Sequence, residues 1–131
     1  MTSPLFHNFS SAPTHVAPFS HAVEFDGWVQ LTGQMPTDPE RDTKSLPEGI
    51  QEQTRQVMEN LSIILNEMQL SMENVLSTRV FLTNFKRDYE LMNNVYQSYF
   101  GNDRLPARTC VGVTDLALEA LVEIDMVAKR F

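Results

Sequence analysis

Arg108 stands in the stretch Leu105-Pro106-Ala107-Arg108-Thr109-Cys110-Val111. A proline fixes the approach, and an apolar run of Thr109, Cys110, Val111 and Val113, expected to form a buried strand, follows. A permanently charged guanidinium at the mouth of such a strand needs a partner, and its planar fork of donors matches a carboxylate through two parallel hydrogen bonds. That carboxylate belongs either to the protein or to a ligand, and these residues alone leave both open. Cys110 reads as a small buried hydrophobe rather than a nucleophile, because no histidine lies near it in sequence to take its proton. Metal chemistry has no support. His7, His15 and His21 all fall in the first 21 residues with no i, i+4 pairing, and no Cys-x-x-Cys joins them.

The elements that must position these groups follow from periodicity. The N-terminal arm, broken by Pro4, Pro13 and Pro18, has room for one short strand around Leu5 to Asn8. Ser20 to Phe25 and Trp28 to Gly33 are extended runs joined by Asp26-Gly27, a strong signal for a two-residue hairpin. Thr37 to Gly49, rich in Pro, Asp, Lys and Ser, is expected to be a surface loop. Ile50, Val57, Leu61, Ile64, Leu65 and Met68 recur at helical spacing, so Ile50 to Leu70 is predicted as an amphipathic helix of about six turns. After a short turn at Met72 to Leu76, Ser77 to Thr83 reads as a strand. Phe85, Tyr89, Met92, Tyr96 and Tyr99 then mark a second helix that runs to Phe100 and stops at Gly101, its aromatics read as core. In the last strand, Leu121 to Lys129, Val122, Ile124, Met126 and Ala128 point one way, and Glu123, Asp125, Val127 and Lys129 the other.

The order β-β-α-β-α-β-β predicts an α+β domain over residues 1–131, with both helices on one face of a sheet. The other face, expected to carry Val23, Leu31 and Cys110, then needs a cover, which predicts an oligomer.

Composition narrows the function. The 131 residues are 42% hydrophobic, enough for one core. Seventeen acidic residues against 10 basic give a net charge of −7, and no stripe of Lys and Arg is present to neutralise phosphates, so nucleic acid is an unfavourable partner. A single cysteine fits a reducing compartment. The N-terminus has neither a basic nor an apolar signal region, and no apolar run approaches the roughly 18 residues of a membrane span. The expectation is a cytoplasmic protein.

Seven stretches carry a family resemblance. Ala17-Pro18-Phe19-Ser20-His21-Ala22-Val23, Thr32-Gly33-Gln34-Met35-Pro36, Glu52 to Leu61 and Val80-Phe81-Leu82-Thr83 are the first four. Asn93-Asn94-Val95-Tyr96 with Tyr99-Phe100, Pro106 to Val111, and Val122-Glu123-Ile124 complete the series. In this order and spacing, over roughly residues 12–130, the chain resembles the Rid (YjgF) family of reactive-intermediate imine deaminases. The resemblance implies a chorismate-mutase-like α+β fold, assembled as a homotrimer with clefts between subunits, and no metal or other cofactor. It implies that Arg108 binds the carboxylate of a 2-imino or enamino acid and that Glu123 positions or activates water. Phe19, Thr32, Gly33, Asn93 and Cys110 would line the substrate site.

Two positions depart from the family pattern. Phe19 stands where the family carries a tyrosine, so the ring is kept and its hydroxyl lost; Thr32, in place of a serine, keeps a hydroxyl. Leu116 is followed by Ala117-Leu118-Glu119 where the family has a proline. Both changes bear on substrate preference, toward an aminoacrylate- or aminomuconate-like compound. Three classes of function are therefore weighed: a deaminase, a non-catalytic trimer that binds a small carboxylate, and the endoribonuclease activity attached to the family, which the acidic balance opposes.

Overall fold

The computed structural model describes residues 3–41 and 45–131. The expectations for Met1 and Thr2 and, within the surface loop, for Asp42, Thr43 and Lys44 lie outside the described residues. Strands β1 (Leu5–His7), β2 (Ala22–Phe25) and β3 (Trp28–Gln34) precede helix α1 (Gly49–Glu67). Strand β4 (Val75–Leu82), helix α2 (Phe85–Gln97), β5 (Ala107–Gly112) and β6 (Val122–Lys129) follow. They form one six-stranded sheet in the order β1-β2-β3-β6-β4-β5. All pairs are antiparallel except β4–β5, whose parallel pairing uses α2 as its crossover.

Local chemistry explains the boundaries. Asp26 and Gly27 both take positive φ, 53° and 78°, as the tight turn between right-twisted strands requires. Helix α1 ends three residues before the predicted Leu70, because Gln69 adopts φ 61° and Leu70 N–H closes back on the Leu65 carbonyl at 2.8 Å. Asn84 caps α2, its side chain accepting from Arg87 N–H at 3.4 Å. That helix stops at Gln97, short of the predicted Phe100, and its last residues continue as a turn.

Both helices lie on one face of the sheet. The core there joins Val57, Leu61, Ile64 and Leu65 of α1 and Met92 of α2 to Val29, Leu31, Val80, Leu82, Ile124 and Met126. Each such side chain contributes roughly 1.5–3 kcal/mol through burial. The alternation expected in β6 is observed, with Val122, Ile124, Met126 and Ala128 fully buried. Polar residues of α1 are buried as well, Asn60 and Gln53 among them. Asn60 donates to the carbonyls of Met35 at 2.9 Å and Thr37 at 2.7 Å, tying the segment after β3 to the helix. Gln53 accepts from Leu121 N–H at 2.8 Å, holding the start of β6.

Two expectations are corrected. The run at Thr109 to Val111 is an edge strand open to solvent, with Thr109 and Val111 exposed, because β5 pairs only with β4. Leu31 and Cys110 do not lie on the open face. Leu31 sits opposite Ala22 and Met126, and Cys110 opposite Val80, all on the helix side. Of the three named residues only Val23 faces away from the helices; Phe81, Val111 and Val127 share that face with Arg79, Glu123 and Asp125.

The N-terminal arm is pinned by imidazoles. His21, 2% exposed, accepts from Phe9 N–H at its Nδ1 (3.0 Å) and donates from Nε2 to the Pro13 carbonyl at 2.8 Å. This pairing requires the neutral ring. The His15 ring stacks on it, with centroids 4.1 Å apart. Burial lowers the His21 pKa, the Pro13 carbonyl opposes that, and His15 adds to the lowering. The unfolded chain therefore binds the proton more readily, so this stability is full above the ordinary histidine value of about 6.5 and is lost as pH falls below it. Thermal midpoints measured from pH 7.5 to 5 should drop through this window, and by less in His21→Gln.

Candidate active site

The residues singled out in the sequence fall into two groups on opposite faces of the sheet. The first is built on β5 and α2. Arg108 lies opposite Thr78 of β4, on the helix side, and reaches Asn93 and Tyr89 of α2. Its Nη1 donates to Asn93 Oδ1 at 2.8 Å and its Nη2 to the Tyr89 hydroxyl at 3.3 Å. The guanidinium carbon sits 5.0 Å from the centroid of the Tyr96 ring and 5.8 Å from that of Tyr89. These partners are neutral; among the described residues no carboxylate forms an ion pair with Arg108. A groove of about 290 Å³ opens beside it, lined by Asn93, Tyr96, Gln97, Leu105, Pro106 and Arg108.

Cys110 shares that side of β5, half-buried and packed against the core. Burial raises its thiol pKa, and nearby Arg108 only partly offsets this. The thiol therefore stays protonated near neutral pH, as a packing residue rather than a nucleophile.

The second group is built on the turn before β2, the end of β3, and β6. Glu123 lies opposite Phe81 on the open face, away from Arg108. Its carboxylate rests over Gly33, where an added Cβ would collide with Glu123 Oε2. A glycine is therefore required at that bulged end of β3 for the carboxylate to approach. Phe19 and Gly33 line one small pocket with Val16 and Met35. The Phe19 ring tilts against His15 at 5.2 Å. Thr32 donates its hydroxyl to the Ser20 carbonyl at 2.5 Å, so it fastens the Phe19 segment to β3.

Burial raises the Glu123 pKa, Asp125 raises it further, and Arg79 opposes both. Arg79 gives its fork to Asp125 instead, with Nη2–Oδ2 at 2.6 Å and both carboxylate oxygens engaged by Nε at 3.0 and 3.1 Å. A carboxylate held in this way exchanges a proton closer to neutrality than an ordinary glutamate does.

Arg108 and Glu123, which the family resemblance assigns to one substrate site between subunits, thus lie on opposite sides of the sheet within a single chain. The reason is register: Arg108 aligns with Thr78 and Glu123 with Phe81, positions of opposite parity on β4. Tyr89 and Tyr96, read from the sequence as core, flank Arg108. The signal for them was available in the i, i+4, i+7 spacing of Tyr89, Asn93 and Tyr96, which puts all three on one helical face. The turn ahead of β6, where the family's proline is missing, holds Leu118 and Glu119 at φ 59° and 58°, a left-handed conformation that L residues rarely adopt.

The pattern of the endoribonuclease L-PSP family matches residues 9–130. This chain is a member of that family, the Rid family. A RutC family protein of Aquifex aeolicus is 42% identical to it over 120 residues, 91% of this chain and 94% of the relative. A Rid-family protein of unknown function from Yersinia pestis superposes with a TM-score of 0.89 at 33% identity, covering 98% of this chain and all of that one. Escherichia coli TdcF, solved with bound serine, gives 0.88 at 28% identity, covering 97% of this chain and 99% of its own. The α+β fold with two helices on a six-stranded mixed sheet is the one these Rid neighbours share. No helix among the described residues is long and apolar enough to cross a membrane.

Proposed function

We propose that this Rid-family protein hydrolyses reactive 2-imino and enamino acids to 2-oxo acids and ammonia, at sites formed where copies of the chain meet. The observation that carries this reading is the half-buried Arg108 guanidinium, oriented by Asn93, Tyr89 and Tyr96 and claimed by no carboxylate among the described residues. A charged fork held by neutral groups beside an open groove suits a ligand carboxylate.

The chemistry needs little more. Water adds to the C=N carbon of the imino acid, one proton passes from water to nitrogen, and the resulting carbinolamine expels ammonia as the C=O bond forms. An enamine first takes a proton at carbon to become the imine. Glu123, with its raised pKa, is the group suited to take the proton from water and return it to the leaving nitrogen. Arg108 holds the carboxylate so that the imine carbon lies within reach of that water.

Because Arg108 and Glu123 occupy opposite faces of one sheet, they meet only across a subunit boundary. A homotrimer, each cleft taking Arg108, Asn93 and Cys110 from one subunit and Phe19, Thr32, Gly33 and Glu123 from the next, satisfies this. It would also cover the apolar Val23, Phe81 and Val127 of the open face. Serine bound in TdcF is a small carboxylate of the same size class, which supports the reading. A cytoplasmic setting and independence from metals belong to the same proposal.

The test is to generate 2-aminoacrylate in the presence of the protein and to time the release of pyruvate and ammonia. Acceleration that saturates with substrate is expected, whereas the uncatalysed rate across several imino acids would remove the deaminase reading. The absent Phe19 hydroxyl favours one alternative, a trimer that binds small carboxylates without turnover. In that case a 2-oxo acid would raise the melting temperature while hydrolysis stayed at its solution rate. Ribonuclease activity is disfavoured by the charge of −7 and would require salt-sensitive RNA binding.

A further inference from the structure

Arg108 is held not by one contact but by a layered aromatic mount, and its layers differ in what they do. Tyr96 is 4% exposed, and its ring lies under the guanidinium. Its hydroxyl is hydrogen-bonded at 2.8 Å to Thr78 Oγ1, a side chain 2% exposed on the strand position directly opposite Arg108. Behind it, Phe100 tilts against the Tyr96 ring with centroids 5.0 Å apart. On the other flank, Tyr89 stacks on Phe85 at 4.6 Å and offers its hydroxyl to Nη2.

A long arginine side chain on an exposed edge strand has many rotamers, and ordering it opposes binding. Here the buried hydrogen bond to Thr78 anchors the far end of the Tyr96 ring, and burial with the Phe100 ring packed behind it restrains its plane, so the surface on which the guanidinium rests is set before any ligand arrives. We infer that Tyr96, locked by Thr78, is a positioning residue that sets the plane of the Arg108 fork and thereby the affinity for the substrate carboxylate. This rests on the reading of Arg108 as a carboxylate clamp. Tyr96 itself touches no reacting atom.

The role makes a specific kinetic pattern. A carboxylate is bound equally in the ground state and the transition state, so a slack fork raises KM and leaves kcat nearly unchanged. The experiment measures 2-oxobutanoate affinity by calorimetry, alongside KM and kcat for 2-aminoacrylate, in Tyr96→Phe, Tyr96→Leu, Thr78→Val and Arg108→Ala. Tyr96→Phe and Thr78→Val keep the ring but release its anchored end, and each should weaken 2-oxobutanoate about threefold. Tyr96→Leu removes the ring face as well and should weaken it about tenfold or more, the range of a desolvated cation–π contact. In all three kcat should stay within about twofold.

If Tyr96→Leu does not fold, Tyr96→Phe and Thr78→Val decide the question. Unchanged affinity in both, or a loss in kcat at constant affinity, overturns the inference. Unchanged affinity in Arg108→Ala would instead overturn the carboxylate reading of the site. Weakened binding in Arg108→Ala with none in the Tyr96 and Thr78 variants sinks the positioning role alone.

Discussion

Arg108→Ala should lower kcat/KM for 2-aminoacrylate by at least a hundredfold, equivalent to about 2.7 kcal/mol, with the loss concentrated in KM. The size follows from removing a charge-assisted, two-pronged contact, the strongest kind of hydrogen bond available to a carboxylate ligand. Stability should change little. Arg108 sits on an edge strand, its partners Asn93 and Tyr89 reach solvent, and it closes no internal ion pair among the described residues. Arg108→Lys should recover only a small part of the activity, since an ammonium lacks the planar fork and stacks poorly on Tyr96. Initial rates over a range of substrate, with a melting curve for each variant, check both halves of the expectation. Full activity in Arg108→Ala would remove the central claim about the site.

Glu123→Gln should lower kcat about a hundredfold or more, the usual contribution of a general acid–base group. The pH dependence gives the sharper test. Hydrolysis by the unaltered protein should fall as pH drops through the Glu123 pKa, which burial and Asp125 hold above the ordinary glutamate value. That acid limb should vanish in Glu123→Gln. Stability moves the other way. A carboxyl whose folded pKa is raised favours the folded state when protonated, and that advantage is lost as pH rises through the raised pKa. At neutral pH the charge is therefore held at a disadvantage, and the isosteric uncharged glutamine should keep or raise the melting temperature while turnover falls. Gly33→Ala is expected to reproduce the loss of activity without touching the carboxylate itself, because its Cβ would occupy the place of Glu123 Oε2 and swing the side chain aside.

The sequence was most readable where one segment settles its own structure. Asp26-Gly27 dictates a hairpin whatever surrounds it, since few other pairs take two positive φ values without strain. The alternation in Val122 to Lys129 and the three-and-four spacing in α1 each reveal a buried face, because a strand or helix must hide its apolar side somewhere. Even so, periodicity could not say that Asn60 and Gln53 would be buried within α1. Beyond the nearby Pro47 carbonyl and the Gln56 side chain, their partners are backbone groups far along the chain, at Met35, Thr37 and Leu121.

By itself the sequence determined the α+β class, the order of elements from β2 onward, the family, and the identities of Arg108 and Glu123 as the residues whose chemistry most needs explaining. Only the tertiary structure decided how they stand to one another. Sheet order put Arg108 on an exposed edge rather than in a buried strand, and register gave it the opposite face from Glu123. It also gave Tyr96, a core aromatic as expected, and Tyr89, packed against that core, a second role as the mount of the guanidinium. The physical reason is that a side chain's alternation is local, whereas the face it shares depends on which strand lies beside it, in which direction and at which register. Those are non-local choices, made by packing both helices against one side of the sheet, and no single stretch of the chain contains them.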